Sequence, residues 1–208
     1  MSRAYRLRIR DINEEEAMSR AYRVRVSESL SRVLKASDHV STQLQILEVL
    51  PREAMAGILE TELKKRGFKN KDGTLVREEK GGITISVDPG NATVTVAAEG
   101  ATDVRLSGSR EGWADDDWGR RGGENVKEGL KEEIRQELER KADQKKEDLQ
   151  KRVTDRLEGK LLEIRKELDS VVNKVTAEAL KQKAASLGSI KSITEDEKNG
   201  SMTIVLEV

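Results

Sequence analysis

Residues 124–187 carry an apolar residue at nearly every helical turn and contain no proline. From Val126 to Val175 these apolar positions recur mostly in steps of four, which is wider than the average of about 3.5 residues in a sustained coiled-coil seam. Nearly half of the stretch is charged, so most of its circumference must face water. The pattern predicts a nearly straight helix that packs along a partner surface.

The apolar stripe of this helix is interrupted at Asp143–Asp148, where the sequence reads DQKKED. The interruption leaves two alternatives open, either a single rod with a solvent-exposed gap or a helical hairpin that turns there. The stripe beyond it predicts a helix interface for self-association, formed by Leu149, Val153, Leu157, Leu161, Ile164 and Leu168. The alternative is an intramolecular helical hairpin that completes the core of its own chain.

The N-terminus contains a repeat, because residues 1–9 (MSRAYRLRI) and 18–26 (MSRAYRVRV) match at seven of nine positions. Both copies alternate between apolar and arginine side chains, which predicts half-buried strands linked by Asp11–Ala17. Two interpretations remain. Either a duplicated strand pairs with its twin or with a neighbouring subunit, or residues 1–17 are an appendage and Met18 is the natural start.

Residues 27–107 combine short alternating runs with turn signals, which is typical of a small antiparallel sheet. An antiparallel pair of strands is expected within residues 27–50, turning near Ala36–Asp38. Pro51 is expected to open a helix that Gly67 ends. Further strands are predicted at Thr74–Arg77, Ile83–Val87, Thr93–Ala98 and Val104–Leu106, with a turn at Asp88–Asn91.

A C-terminal hairpin is predicted from strands at Ile190–Thr194 and Met202–Val208, separated by a turn at Glu197–Gly200. Because two strands alone are barely stable, this hairpin must dock on the N-terminal sheet or on a second subunit. The predicted fold class is therefore α+β. Its parts are a small, mainly antiparallel sheet with one helix (1–107), a Gly/Trp loop (108–123), the long charged helix or helical hairpin (124–187) and the β-hairpin (188–208).

Composition limits both the core and the chemistry. With 38% charged and only 2% aromatic residues, any core must be modest and built mainly from aliphatic side chains. The formal net charge is zero, so no global attraction to nucleic acid or to an anionic membrane is implied. The chain has no cysteine, no signal-peptide pattern and no apolar run long enough to span a membrane, which favours a cytoplasmic protein.

Arginines line the two repeated strands on the side opposite the apolar residues. Arg6, Arg8, Arg23 and Arg25 are candidate phosphate contacts, because nucleic-acid backbones require regularly spaced positive charge. The aromatic side chains that a single-strand binder would use lie on the other face. The alternative is a solvated sheet face whose charges keep an edge strand from aggregating.

The segment Gly112–Arg121 (GWADDDWGRR) places two tryptophans on either side of three aspartates. Trp113 and Trp118 are the candidates for docking a protein partner, because tryptophan and arginine are enriched at binding hot spots. The aspartates suit a hard cation, but their spacing does not match a calcium loop. The remaining alternative is an ordered loop whose tryptophans cover the core.

No catalytic group, metal site or cofactor site can be assigned. His39 is the single histidine, and its neighbour Asp38 would point to the opposite face of a strand, which prevents a catalytic relay. The glycine pairs lack the lysine and the spacing of a phosphate-binding loop.

Two segments of the chain resemble a bacterial accessory family, namely SRAYRVRVSESLSRVLKASDHVSTQLQILEVLPREAM (Ser19–Met55) and LGSIKSITEDEKNGSMTIVLEV (Leu187–Val208). Members of that family are small partner domains of ternary systems built around an AAA+ ATPase or a membrane-bound AAA+ protease, and are thought to act in cellular defence. The resemblance covers most of the chain from Met18 onward, but not the duplicated segment Met1–Ile9. It implies a cytoplasmic adaptor that works beside an ATPase, and it brings no catalytic residues with it.

These features together predict a non-enzymatic interaction or scaffold component without a cofactor. The chain is expected to be a homo-oligomer that associates through its helical region and binds a protein partner, such as an AAA+ ATPase. The alternative function is a nucleic-acid-binding module that uses the arginine-lined strands.

Overall fold

The structure is a computed structural model that describes residues 21–114, 119–196 and 201–207. It confirms the α+β class, with a five-stranded antiparallel sheet, two helices and a separate two-stranded hairpin. The strands are β1 (Tyr22–Gln43), β2 (Lys69–Lys71), β3 (Thr74–Glu79), β4 (Ile83–Asp88), β5 (Thr93–Ala114), β6 (Ser189–Asp196) and β7 (Ser201–Glu207); the helices are α1 (Arg52–Lys65) and α2 (Gly119–Leu187).

The large sheet has the strand order β1-β5-β4-β3-β2, and its short connections follow from the turn chemistry of the sequence. Between β4 and β5, the Asp88 carboxylate accepts a hydrogen bond from the backbone N–H of Gly90 at 2.8 Å, which closes the predicted turn. Between β2 and β3, Asp72 and Gly73 both have positive φ, as a tight hairpin turn requires.

β1 is one continuous strand, so the predicted turn near Ala36–Asp38 is wrong. The alternation simply continues there, with Leu34 and Ala36 buried and Lys35 and Ser37 exposed. No glycine or proline interrupts residues 22–43, so nothing in the local chemistry forces the chain to turn.

β5 is also continuous, and it runs through residues that composition assigned to the Gly/Trp loop 108–123. The loop prediction is wrong for residues 108–114, which belong to β5. The glycines in this segment are places where a side chain would collide with helix α2. A Cβ on Gly108 would lie 2.9 Å from Cγ2 of Ile134, and one on Gly112 would lie 3.1 Å from Cδ1 of Leu130. Glycine at these positions lets helix α2 approach the strand closely.

Helix α1 begins after Pro51, whose carbonyl accepts a hydrogen bond from the N–H of Met55. It buries Met55, Leu59 and Leu63 at helical spacing. Gly67, at φ 86°, follows the last turn and reverses the chain direction, as predicted.

Helix α2 is a single helix of 69 residues, which decides between the rod and the helical hairpin. Residues 143–148, where the apolar stripe is interrupted, are all exposed and helical. The segment consists of Asp, Gln, Lys and Glu without glycine or proline, so it can continue the helix through water.

The chain forms two compact units. The first contains residues 21–32 and 104–142 of the described chain, and its core is Val26, Ile134 and Leu138, with Val24, Leu30, Leu106 and Leu130 packed around them. The second contains residues 33–103, 143–196 and 201–207 of the described chain, and its buried residues come from one face of strands β3–β5, from helix α1 and from the stripe of α2. Among the described residues, no helix is long and apolar enough to cross a membrane.

Candidate protein-docking face

In the first unit, β1 and β5 present alternate side chains to two sides. One side carries Val26 and packs on Ile134 and Leu138 of α2. The other side is exposed, and we call it the ribbon face. It consists of Arg23, Arg25, Ser27, Ser29 and Ser31 from β1 and Arg105, Ser107, Ser109, Glu111 and Trp113 from β5.

The helix side of the ribbon is fixed by packing and by charge, which leaves the ribbon face free. Arg110 points to the helix side, where its guanidinium donates to the carboxylates of Glu133 and Glu137. The Lys141 ammonium, 2.6 Å from the Glu137 carboxylate, and then the Arg110 guanidinium lower the pKa of Glu137. Ion pairs and the close glycine contacts therefore hold one face of the ribbon against α2.

Trp113 is the large apolar side chain of the ribbon face, and 65% of it is exposed. The Arg23 guanidinium carbon lies 5.4 Å from the centroid of its ring, at a distance typical of a cation–π contact. Arg23 is held in turn by Glu111, at 3.2 Å. The indole is thus exposed but supported from one side.

Arg23 and Arg25, two of the arginines predicted as phosphate contacts, lie on the exposed ribbon face, and Glu111 lies beside both. Glu111 pairs with Arg23 at 3.2 Å and with Arg25 at 3.7 Å, so one carboxylate partly neutralises both cations. Arg6 and Arg8 lie outside the described residues. The same holds for Trp118 and for the three aspartates at 115–117.

The helix-interface residues are placed inside the second unit. Leu149, Val153, Leu157, Ile164 and Leu168 are each at most 7% exposed, and Leu161 is half-buried. A Cβ on Gly100 of β5 would lie 2.8 Å from Cγ2 of Val153, which shows how closely the helix and strand approach. The stripe therefore packs within its own chain, although as part of a single helix and not of the helical hairpin that the alternative proposed.

The Asp38 carboxylate accepts hydrogen bonds from the backbone of His39 and from the side chain of Thr154. One carboxylate oxygen of Asp38 accepts the backbone N–H of His39, and the other accepts the Thr154 hydroxyl at 2.6 Å. The Thr154 hydrogen bond is the main cause of the lowered pKa of Asp38. Within residues 21–114, 119–196 and 201–207, no cluster of three or more His, Asp or Glu side chains could hold a metal ion.

Sequence reasoning missed a charged cluster in the second unit. Arg77 of β3 donates to both carboxylate oxygens of Glu167 on α2, at 2.6 and 2.7 Å, and also to Glu79 at 2.7 Å. Its guanidinium stacks over Phe68, 4.6 Å from the ring centroid. The sequence did contain one indication of this cluster. Arg77 lies two residues after Leu75, which is buried, so alternation along β3 directs both side chains to the same, covered face.

The Arg77 cluster lies beside an open groove of about 1060 Å³ between α1 and the C-terminal part of α2. Glu62, only 8% exposed, lines this groove, and Lys65, Arg66 and Lys174 lie within 3.7 Å of its carboxylate. The charges at the groove are thus largely satisfied by one another. This arrangement stabilises the contact between the two helices and does not require a ligand.

A family model described as FtsH ternary system domain X5 matches residues 18–208. The match includes both segments that carry the resemblance, and it confirms the similarity to accessory domains of AAA+ protease ternary systems. No curated protein and no solved structure matches the chain.

Proposed function

We propose that this chain, which belongs to the family of FtsH ternary system domain X5, is a non-enzymatic adaptor that docks on an FtsH-type AAA+ ATPase through its ribbon face. The family description supports an accessory role beside other proteins of such a system. The observation that carries the proposal is Trp113, a large apolar side chain that is 65% exposed and supported by Arg23.

The chemistry around Trp113 favours a protein partner. Tryptophan and arginine are over-represented among residues that dominate binding energy, and a protein contact would remove the exposed indole from water. Five serines of the ribbon face are short, so a flat partner surface can approach the two strands closely. Arg23, Arg25 and Arg105 outnumber Glu111, so the partner surface should be acidic.

Self-association is a second part of the proposal, and the described packing restricts where it can occur. Because five of the six stripe residues are buried within the chain, a second copy would contact α2 through other side chains. Leu161 is half-buried, and Leu162 is 65% exposed on the same helix. Any contact through the helical region would therefore involve its exposed side.

The docking proposal is tested by measuring binding of the full chain to the purified soluble part of an FtsH-type ATPase from the same organism. Trp113→Ala should weaken binding by at least about thirtyfold, as expected for a hot-spot residue. Leu162→Ala is the matched control, because it also removes an apolar side chain that is 65% exposed. No binding by the unaltered chain, or equal losses in both variants, would contradict the proposal.

A further inference from the structure

The C-terminal hairpin stands as a two-stranded sheet of its own, and none of its described side chains is buried. Isolated two-stranded hairpins are marginally stable at best in water, and three or more strands with an apolar face, or packing against a helix, are needed for independent stability. A further strand is one way to supply that stability.

One face of the hairpin is apolar because of its register. Ile190 lies opposite Leu206 and Ile193 lies opposite Ile204, and a register shift between residues 190 and 192 puts both isoleucines on one face. Residues 202, 204 and 206 share that face because they alternate along β7. The apolar residues of this face are Ile190, Ile193, Met202, Ile204 and Leu206, and position 195, opposite Met202, is a glutamate at one end of it.

The two edges of the hairpin differ in how they are protected. β6 contains the irregularity and carries Lys191, and both features discourage pairing with another strand. β7 is regular, and its segment Met202–Leu206 contains no charge, proline or glycine. Among the described strands, β7 pairs with β6 alone, and its regular, uncharged outer edge suits the addition of a further strand.

We propose that β7 is a homodimerisation strand. Two copies of the chain join their β7 edges in antiparallel orientation about a twofold axis at Ile204. The product is a four-stranded sheet, which passes the threshold of three strands that the single hairpin does not reach. The two apolar faces become one continuous surface of the joined sheet.

A second copy fits this edge because β7 is complementary to itself. Antiparallel pairing about Ile204 places Met202 opposite Leu206 and Thr203 opposite Val205 of the other copy. Glu207 lies opposite position 201, so the two carboxylates do not meet. The contact is closed and symmetric, which is the commonest arrangement of homodimers.

The test is the molar mass of the full-length chain by analytical ultracentrifugation over a range of micromolar concentrations. We expect a dimer of twice 23.2 kDa. The double variant Thr203→Lys/Val205→Lys should raise the dimer dissociation constant by at least about tenfold, because like charges would then face each other across the joint. Both positions are exposed and lie off the apolar face, so the hairpin keeps its own packing.

The corresponding double variant Thr203→Glu/Val205→Glu should be monomeric for the same reason. Mixing the Lys variant with the Glu variant should restore a dimer, because the charges across the joint are then opposite. Restoration also demonstrates that both variants are folded. A mixture that stays monomeric would overturn the antiparallel arrangement.

Ser192→Lys/Thr194→Lys on β6 is the matched control. Ser192 pairs with Val205 and Thr194 pairs with Thr203, so the control puts the same charges on the same face, one strand away from the joint. We expect the control to dimerise normally. A monomeric unaltered chain, a Lys variant of β7 that dimerises as tightly as the unaltered chain, or an equal loss in the β6 control would each overturn the proposal. Trp113→Ala should leave the dimer unchanged, so this test is independent of the docking face.

Discussion

The pair of Arg77 and Glu167 contributes to stability because both side chains are largely sheltered from water. They are 17% and 29% exposed, and Arg77 bonds both oxygens of the Glu167 carboxylate. We expect Glu167→Gln to lower the free energy of unfolding by about 1–2 kcal/mol at neutral pH, measured by urea denaturation. Glu163→Gln on the same helix is the control, because Glu163 is 72% exposed and should change stability by less than about 0.5 kcal/mol.

The same pair predicts a pH dependence. The hydrogen bonds from Arg77 are the main cause of the lowered pKa of Glu167, whose ordinary value is 4.5. A carboxyl whose pKa is lowered by folding stabilises the native state above that ordinary value and loses the effect as pH falls through the native pKa. The difference in unfolding free energy between the unaltered chain and Glu167→Gln should therefore shrink below about pH 4.5. A difference that stays constant down to pH 3 would contradict this assignment.

Two glycine-to-alanine substitutions should change stability in opposite directions, because the space around the two glycines differs. Gly108→Ala would place a Cβ 2.9 Å from Ile134, and we expect it to destabilise the protein by about 1–3 kcal/mol. Gly129→Ala in α2 meets no atom within 4 Å and should stabilise by about 0.5–1 kcal/mol, since alanine favours the helix. Thermal unfolding of both variants measures the two effects, and a stabilising Gly108→Ala would show that the ribbon does not approach α2 this closely.

The burial of the apolar stripe predicts how substitutions along α2 affect stability. Because the stripe packs within its own chain, Leu157→Ala should reduce the free energy of unfolding by about 2–5 kcal/mol without changing the molar mass. Leu157 is 2% exposed, whereas Leu162 on the same helix is 65% exposed, so Leu162→Ala should have little effect on stability. Chemical denaturation together with light scattering separates the two roles. A Leu157→Ala variant with unaltered stability and a lost oligomer would restore the intermolecular interpretation.

The spacing of apolar residues predicted whether most segments are helices or strands, but it did not predict how far the long strands extend. The alternation at Tyr22, Val24 and Val26, and the steps of four in α2, follow directly from one buried face and are visible in sequence. The continuity of β5 was not visible, because Gly108 and Gly112 have the composition of a loop. Their role depends on side chains of α2 that lie more than ten residues further along the chain.

The candidate site was predictable to a similar extent. The sequence predicted partner docking for Trp113 and phosphate contact for Arg23; the structure brings the two side chains together on the ribbon face, and both roles stay predictions. The pairing of Arg23 and Arg25 with one glutamate was not predictable, because Glu111 comes from a strand distant in sequence. Neither was the Arg77–Glu167 pair, which joins a strand to a helix ninety residues away.

The charge balance of the whole chain argues against the nucleic-acid alternative. Basic and acidic residues are equal in number, at 39 each, so there is no net field to attract a polyanion. Glu111 further neutralises Arg23 and Arg25, the two predicted phosphate contacts that the structure describes. We therefore expect no binding of labelled single-stranded RNA or DNA to the full chain at about 50 mM salt, measured by fluorescence anisotropy.

Glu111→Gln is the informative variant for that measurement, because it removes the carboxylate and leaves both arginines in place. Any increase in binding for Glu111→Gln, lost again when Arg23 and Arg25 are changed to Ala, would identify the ribbon face as the source of residual phosphate affinity. Salt-dependent binding by the unaltered chain that disappears with the same two alanines would instead favour the nucleic-acid function. In that case Trp113 would act as a stacking platform for a base, since aromatic stacking beside arginines is how single strands are held.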